Sequence, residues 1–308
     1  MQRIIKVDVI IPTYRPDQKF HHLLEMLQKQ TYPIHEIIIV NTGESYFPKE
    51  EYEKNSNMKV FHISKKEFDH GRTRAFAAKK ASGDFLLYMT QDAVPEDIFL
   101  IENLLRAFED ETVGASYARQ LPTEDCKFIE RYTRMFNYGE ESMVKSLEDL
   151  ETLGIKTYFC SNVCAMYRKK YYRELGGFVK KTIFNEDMLF AGKLINAGYK
   201  VAYVATAKVI HSHNYSGIQQ LKRNFDLGVS QARYPDLFES VPSESEGKKL
   251  VKATAVYLLK QHKPWLLLDL VIKSGFKLIG FKLGKSYKVL PKRLILKLTM
   301  NRAYWYDI

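Results

Sequence analysis

Three short, almost wholly apolar segments constrain the fold of this chain most. They are VDVII at residues 7–11, EIIIV at 36–40 and DFLLYM at 84–89. Continuous runs of Val, Ile and Leu are typical of strands buried on both faces of a parallel sheet. Between the first two runs, apolar residues recur at helical spacing and predict an amphipathic helix over 17–30. The order strand, helix, strand predicts a βαβ unit and therefore an α/β fold.

Further patterns extend this alternation along the chain. They predict strands at 58–63, 158–167 and 199–205 and helices at 71–82, 96–108, 169–175 and 186–196. The helix predicted at 96–108 is expected to begin at Pro95. Between 113 and 158 the pattern is weak, and we interpret residues 128–151 as helices or a mobile loop near an acceptor. The loops after Ile11, Val40 and Met89 are expected to meet, because the carboxyl ends of strands form the ligand crevice of open α/β sheets.

Positive charge is concentrated at the end of the chain. The 308 residues carry 47 basic and 36 acidic side chains, a net charge of +11. Residues 248–308 hold 14 of the basic side chains but only two acidic ones, which leaves 33 basic and 34 acidic side chains elsewhere. We therefore predict a catalytic domain over 1–240 and a basic helical region over 241–308 that binds something anionic.

The basic region contains two apolar runs, at 250–259 and 265–281, that are interrupted by charges and are too charged to span a bilayer. We expect amphipathic helices that lie in an anionic membrane surface, with Trp265, Phe276 and Phe281 entering the headgroup boundary. Two alternatives stay open. The region can be a helical subdomain with a solvated basic face, or a dimerisation element.

The three cysteines, an odd number in a chain without a signal-peptide pattern, indicate a reducing compartment. A zinc site is disfavoured because Cys160 and Cys164 have no second pair to complete four ligands. We interpret both as core residues.

Four strings carry a family resemblance. They are VDVIIPTYRP from residue 7, EIIIVNTGES from 36, HGRTRAFAAKKASGDFLLYMTQDAVP from 70 and NEDMLFAGKLINAGYKVAYVATAKVIHSHNYS from 185. In this order the chain resembles glycosyltransferase family 2 over roughly residues 5 to 230, and within it the bacterial rhamnosyltransferases. TQDA and HSHNYS are typical of that branch. The resemblance implies a GT-A fold, a Rossmann-like mixed sheet flanked by helices.

The resemblance also implies a donor site for a nucleotide sugar. Its residues would be Pro12, Thr13, Tyr14, Asn41, Arg72, Arg74, Thr90, Gln91, Asp92 and Arg223. The chain departs from the family where an acid often recognises the base, since it has Asn41, whose amide can face a pyrimidine edge or simply form a turn. Arg72 and Arg74 open a helix whose amides and side chains can bind phosphates, or they form structural salt bridges. Residues 220–223 match a pyrophosphate-binding Gln-x-x-Arg box in part.

Asp92, directly after a buried strand, can ligate a divalent cation or cap the following helix. In the family's Asp-x-Asp motif Thr90 replaces the first acid, so further ligands are needed. The resemblance implies His211 and His213, which otherwise are surface histidines on a strand end. Imidazole favours Mn²⁺ over Mg²⁺ as the cofactor.

Glu186 and Asp187 begin a predicted helix. The resemblance implies that Asp187 is the general base that deprotonates the acceptor hydroxyl, with Glu186 positioning the acceptor. A single displacement would invert the anomeric configuration. Alternatively, both acids only favour a helix N-terminus.

These features predict an inverting, metal-dependent transferase of L-rhamnose from dTDP-rhamnose to a lipid-linked saccharide of a cell-surface polysaccharide. It would work as a peripheral protein on the cytoplasmic face of the inner membrane, without nucleic acid as a partner and with homodimerisation open. Another UDP- or dTDP-sugar is the first alternative. A sugar nucleotidyltransferase is disfavoured because PTYRP replaces a Gly-rich loop, and a non-catalytic lipid or nucleic-acid module leaves Asp92 and Asp187 unused.

Overall fold

The computed structural model describes residues 5–48, 57–239 and 244–306, and within them a nine-stranded mixed sheet is flanked by helices. The strands are β1 Val7–Tyr14, β2 Ile34–Thr42, β3 Met58–Ile63, β4 Phe85–Met89, β5 Val94–Pro95, β6 Val113–Leu121, β7 Met143–Lys145, β8 Cys164–Arg168 and β9 Lys200–Ile210. The α-helices are α1 Gln18–Gln28, α2 His70–Lys80, α3 Leu100–Arg106, α4 Phe128–Asn137, α5 Leu150–Leu153, α6 Lys169–Glu174, α7 Glu186–Asn196, α8 Gly217–Arg233, α9 Pro235–Phe238, α10 Glu244–Lys260, α11 Leu266–Lys285 and α12 Lys292–Leu298.

The strand order is β3-β2-β1-β4-β8-β6-β9-β5, with β7 pairing β9 as a branch. Strands β1, β2, β3 and β4 run parallel to one another, whereas β8 is antiparallel to both β4 and β6. Because β1, β2 and β4 are parallel, their carboxyl ends lie at one edge of the sheet. This confirms the predicted convergence of the three loops.

The main core lies between the central strands and the helices that cover them. Helix α1 buries Phe20, Leu23, Leu24 and Leu27, the residues whose spacing predicted it. Asp17 caps this helix by accepting hydrogen bonds from the amides of Lys19 and Phe20. The predicted amphipathic helix is therefore confirmed with slightly shorter bounds.

Two predictions about local structure are wrong, and one strand was not predicted. No helix begins at Pro95, because Val94 and Pro95 pair antiparallel with Ile210 and Val209, and α3 starts only at Leu100. Only the last part of the strand predicted at 158–167 is extended, as β8. The weakly patterned stretch hides β6, a strand of nine residues that is almost entirely buried.

The chain divides into two compact units, and the division differs from the predicted boundary at residue 240. The first unit comprises the described parts of Met1–Leu121, Tyr138–Lys181 and Glu186–His211, and it contains the whole sheet. The second comprises those of Pro122–Asn137, Thr182–Asn185 and Ser212–Ile308. It therefore includes α4 and α8 as well as the basic helices.

Helices α8 and α11 of the second unit pack with their backbones in close contact. A Cβ on Gly280 would lie 2.1 Å from the carbonyl oxygen of Leu221, and one on Gly284 would lie 2.1 Å from that of Phe225. Phe225 and Val229 continue into a small core with Ile295, Tyr304 and Trp305. Among the described residues, no helix combines the length and apolarity needed to cross a bilayer.

Candidate active site

Gln91 joins the ends of β1 and β4 at this edge of the sheet. Its side-chain carbonyl accepts a hydrogen bond from the backbone N–H of Tyr14 at 2.7 Å, and its amide donates to the Tyr14 carbonyl at 3.2 Å. Two hydrogen bonds from one side chain fix the spacing of the two loops. Gln91 thus shapes the predicted donor site by holding Tyr14 in place.

Asp92 and His211 meet at the same edge. Residues 90–93 form a turn closed by the N–H of Ala93 and the carbonyl of Thr90, 3.1 Å apart. The pairing of Val94 with Ile210 then brings the flanking residues together, so that Asp92 Oδ2 lies 3.6 Å from His211 Nε2. A carboxylate oxygen and an imidazole nitrogen that face each other are a donor set suited to a divalent cation. These two residues form a candidate metal site.

Gln120, on β6, orients His211. Its amide nitrogen donates to the Tyr138 hydroxyl at 2.6 Å and to Ser161 Oγ at 3.0 Å. Its carbonyl oxygen therefore faces His211 Nδ1, 3.0 Å away, and this assigns the ring proton to Nδ1. The lone pair is left on Nε2, the nitrogen next to Asp92. Metal-binding histidines typically donate their other ring N–H to an acceptor of this kind, which fixes the orientation of the ring.

Thr13 and Asn41 form a buried support behind the strand ends. Thr13 donates to Asn41 Oδ1 at 3.1 Å, and the Asn41 amide contacts the Gly43 carbonyl and His62 Nδ1. Asn41 has no exposed surface. The prediction that its amide faces a pyrimidine is therefore corrected: the side chain is used internally to hold the loop after β2.

Beside this support lies an exposed cluster of aromatic and cationic side chains, of which only Tyr14 was predicted from the sequence. The Arg15 guanidinium lies over the Tyr46 ring at 4.5 Å and donates to its hydroxyl at 3.2 Å. Tyr14 contacts the edge of Tyr46, and the Lys65 ammonium lies 5.0 Å from the Tyr14 ring. Arg15 adopts a positive φ of 50°, which directs the chain out of β1. The cluster presents two cations next to Tyr14.

The start of α2 is capped from within the protein. Asp69 accepts hydrogen bonds from the amides of Gly71 and Arg72, both at 2.9 Å, so these amides already have an anionic partner. The prediction that they bind phosphate is corrected for that reason. Arg72 is exposed and donates to the Glu67 carbonyl. Phosphate binding by its side chain stays a prediction.

Arg74 is buried and pairs with Glu186, with Nη1 lying 3.2 Å from Oε1. Asn162 Nδ2 donates to the same oxygen at 3.1 Å. Burial alone would raise the pKa of Glu186, but the charges of Arg74 and His70 and the hydrogen bond from Asn162 together hold it below its usual value. Glu186 is therefore an anion fixed inside the protein, and its predicted contact with the acceptor has no support in this geometry.

Asp187, the next residue, is half-buried and is held by two backbone amides. Asn162 N donates to Oδ2 at 3.0 Å, and Met188 N donates to Oδ1 at 2.8 Å. Burial and then the neighbouring charge of Glu186 raise the pKa of Asp187 to about 7. A carboxylate with such a pKa can accept and release a proton near neutral pH.

Asn162 connects the two acids to the end of β4. Its side-chain oxygen accepts a hydrogen bond from the buried Tyr167 hydroxyl at 2.8 Å, which turns its amide nitrogen toward Glu186. The adjacent Val163 carbonyl accepts from the Thr90 N–H at 3.1 Å. Asp187 is thus linked through residues 162–163 to the turn that carries Asp92. Asp187 and Asp92 therefore lie at the same edge of the sheet.

The remaining predicted residues are placed as follows. Pro12 lies in β1, and Thr90 Oγ1 is buried with no hydrogen-bond partner among the described residues. His213 and Arg223 belong to the second unit, where the His213 ring stacks on Tyr215 and the Arg223 guanidinium lies 4.6 Å from the Phe184 ring. The ligand and pyrophosphate roles of His213 and Arg223 stay predictions.

Sequence comparison identifies relatives of this chain. A family model described as glycosyl transferase family 2 matches residues 8–176. The O-antigen chain rhamnosyltransferase RfbN of Salmonella typhimurium is 38% identical over 99% of this chain and 97% of its own length. The O-antigen chain rhamnosyltransferase WbaN of Salmonella anatum is 37% identical over 97% of this chain and 96% of its own length.

Solved structures with the same architecture share much less sequence. The mannosyltransferase PcManGT from Pyrobaculum calidifontis, in complex with GDP-Man and Mn²⁺, is 16% identical with a TM-score of 0.57 and covers 98% of this chain and 86% of its own. S. aureus TarS 1-349 in complex with UDP-GlcNAc is 15% identical with a TM-score of 0.53 and covers 92% of each chain. These similarities confirm the expected GT-A fold.

Proposed function

Because the chain belongs to glycosyl transferase family 2 and is a glycosyltransferase, we propose that it is an inverting L-rhamnosyltransferase that uses dTDP-rhamnose. Its acceptor is a lipid-linked saccharide in the synthesis of a cell-surface polysaccharide. The near full-length identity to two O-antigen chain rhamnosyltransferases supports the choice of sugar. The observation that carries the enzymatic proposal is the position of Asp187 and the Asp92–His211 pair at one sheet edge.

Asp187 acts as the general base in this proposal. Its backbone hydrogen bonds aim the carboxylate, while burial and Glu186 give it a pKa near neutrality. An acceptor hydroxyl bound within hydrogen-bond distance transfers its proton to Asp187 as its oxygen attacks the anomeric carbon. A single in-line displacement inverts the configuration at that carbon.

Asp92 and His211 hold Mn²⁺ or Mg²⁺, with Mn²⁺ favoured by the imidazole nitrogen. When bound, the cation would neutralise charge on the departing diphosphate. His213, two residues beyond His211, is proposed as a further ligand. Thr13 and Tyr14, fixed by Asn41 and Gln91, line the nucleoside site. Arg72 is retained as a phosphate-binding residue of the proposed donor site, and Arg74 supports the site through its ion pair with Glu186.

We place the enzyme at the cytoplasmic face of the inner membrane as a peripheral protein. The 14 basic side chains of residues 248–308 support attraction to anionic lipid. An acceptor confined to a membrane is reached most readily by an enzyme held at the same surface.

A ligand panel tests the proposal. Thermal shifts are measured with dTDP-rhamnose, UDP-sugars and GDP-sugars, each with and without Mn²⁺, and transfer is followed with a lipid-linked acceptor. We expect dTDP-rhamnose with Mn²⁺ to stabilise the protein most and to support transfer. Stabilisation and turnover with another sugar nucleotide alone would redirect the assignment to that donor.

A further inference from the structure

Helix α11 has its apolar side chains on the outside. Trp265, just before the helix, and Leu268 are each 68% exposed, and Val271 is 64% exposed. Ile272, Leu278 and Ile279 are each about half exposed. Spacings of three, four or seven residues relate these six positions and place all of them on one side of the helix. At 1.5 Å per residue this stripe is roughly 20 Å long, a contiguous apolar surface of the kind that marks an interaction site.

The orientation of the helix is fixed by its packing on α8. Gly280 and Gly284 touch the α8 backbone, where Leu221 and Phe225 leave no room for a Cβ. Phe281 is buried, and Phe276 packs so closely on Gly217 that a Cβ there would lie 2.6 Å from its ring. The expectation that Phe276 and Phe281 enter a membrane is therefore wrong, because both face the protein. The outward stripe consists of other residues.

The charged residues in the middle of α11 are turned away from the stripe. Lys273 Nζ pairs with Asp269 at 2.7 Å. Burial lowers the pKa of Lys277, which lies near Glu130 of α4 and near Lys273, Arg223 and Arg134. A helix at a water-exposed surface normally shows the opposite arrangement, with charges outside and aliphatic side chains inside. The inversion indicates that something apolar covers the outer face.

We propose that the outer stripe of α11, from Trp265 to Ile279, docks into the interface of an anionic lipid bilayer with the helix parallel to the membrane plane. Lysines border the stripe at both ends, Lys260 and Lys263 before it and Lys282 and Lys285 after it. Such a border complements acidic headgroups, and the exposed Trp265 suits the headgroup level. Two copies pairing through this face would bring the same lysines together, which disfavours self-association. The inference deepens the proposed membrane association and rests on it.

The experiment measures binding to vesicles without donor or acceptor, so it is independent of the transfer assay. Full-length protein is sedimented with vesicles containing phosphatidylglycerol and with pure phosphatidylcholine vesicles. The test variant combines Leu268→Ser, Ile272→Ser and Ile279→Ser. The control is Ile218→Ser, which removes an equally exposed side chain from α8. Deleting the segment is unsuitable, because α11 covers α8.

We expect the triple variant to lose at least about ten-fold in partition to anionic vesicles, with an unchanged melting temperature, and the control to bind like the wild type. Tryptophan fluorescence gives a second readout, because the chain has two tryptophans and Trp305 is buried. Vesicles should shift the emission of the wild type to the blue but not that of Trp265→Phe. Wild-type vesicle binding by the triple variant would overturn the proposal, as would a wild-type dimer that this variant converts to monomers.

Discussion

Replacing Glu186 by Gln should move the pH dependence of transfer toward acid. The rise in the Asp187 pKa from 3.8 to about 7 corresponds to roughly 4 kcal/mol, at about 1.4 kcal/mol per pKa unit. Burial contributes most and the Glu186 charge comes second. We therefore expect removal of that charge to lower the pKa of Asp187 by about one unit. The unpaired Arg74 guanidinium acts in the same direction.

The assay is the pH profile of kcat/KM for transfer between about pH 5 and 9 at saturating Mn²⁺. In the wild type, activity should fall as the pH drops through about 7, because Asp187 becomes protonated. In Glu186→Gln this fall should occur at lower pH, while the alkaline plateau decreases because the base is weaker. Glu174→Gln removes one exposed charge from α6 and serves as the control. The reasoning would be refuted if the pH at which activity falls on the acidic side were unchanged or higher in Glu186→Gln than in the wild type.

Three further predictions concern single residues. Asp187→Asn should reduce transfer by at least about 10²-fold and leave donor binding in calorimetry within about two-fold, whereas rapid turnover would end its assignment as the base. Gln120→Leu should weaken Mn²⁺ binding about 10- to 100-fold in an electron paramagnetic resonance titration, and Gln120→Glu, which keeps an acceptor for His211 Nδ1, should retain most of it. Burial raises the pKa of Asp226 from 3.8 to about 7 in the folded protein. Between about pH 4 and 7 the carboxyl therefore ionises in the unfolded chain but stays protonated in the folded one, and the free energy of unfolding falls as the pH rises. In urea unfolding, the free energy of unfolding of Asp226→Asn should rise by up to about 4 kcal/mol relative to that of the wild type as the pH rises across this range. A difference between the two proteins that does not change with pH would contradict the raised pKa of Asp226.

The parts of the fold that follow from local pattern were predictable. The runs at 7–11, 36–40 and 84–89 are strands because they are buried on both faces, and helix α7 has the predicted bounds. The resemblance to the family and the GT-A fold are confirmed by the comparisons. Rhamnose transfer, the metal and the catalytic roles remain proposals.

What could not be predicted depends on partners distant in sequence. Strand β6 contains Ser116 and Gln120, which look like surface residues but are buried, because their polar atoms bond to Leu104, Tyr138 and Ser161. Lys145 is likewise buried, with its ammonium donating to the Lys156 carbonyl. Asn162 belongs to no motif, yet it contacts both acids. No local spacing signals such residues, since only the folded topology supplies their partners.

The two sides of helix α11 are under different packing constraints. Positions 280 and 284 cannot accept a larger residue without pushing the backbones apart. The outward positions bear no such packing constraint. Substitutions there can retune the hydrophobicity of the surface while the scaffold stays intact. Helix α11 is therefore a natural place to graft alternative anchors when such a transferase is to be redirected to vesicles, beads or a partner enzyme.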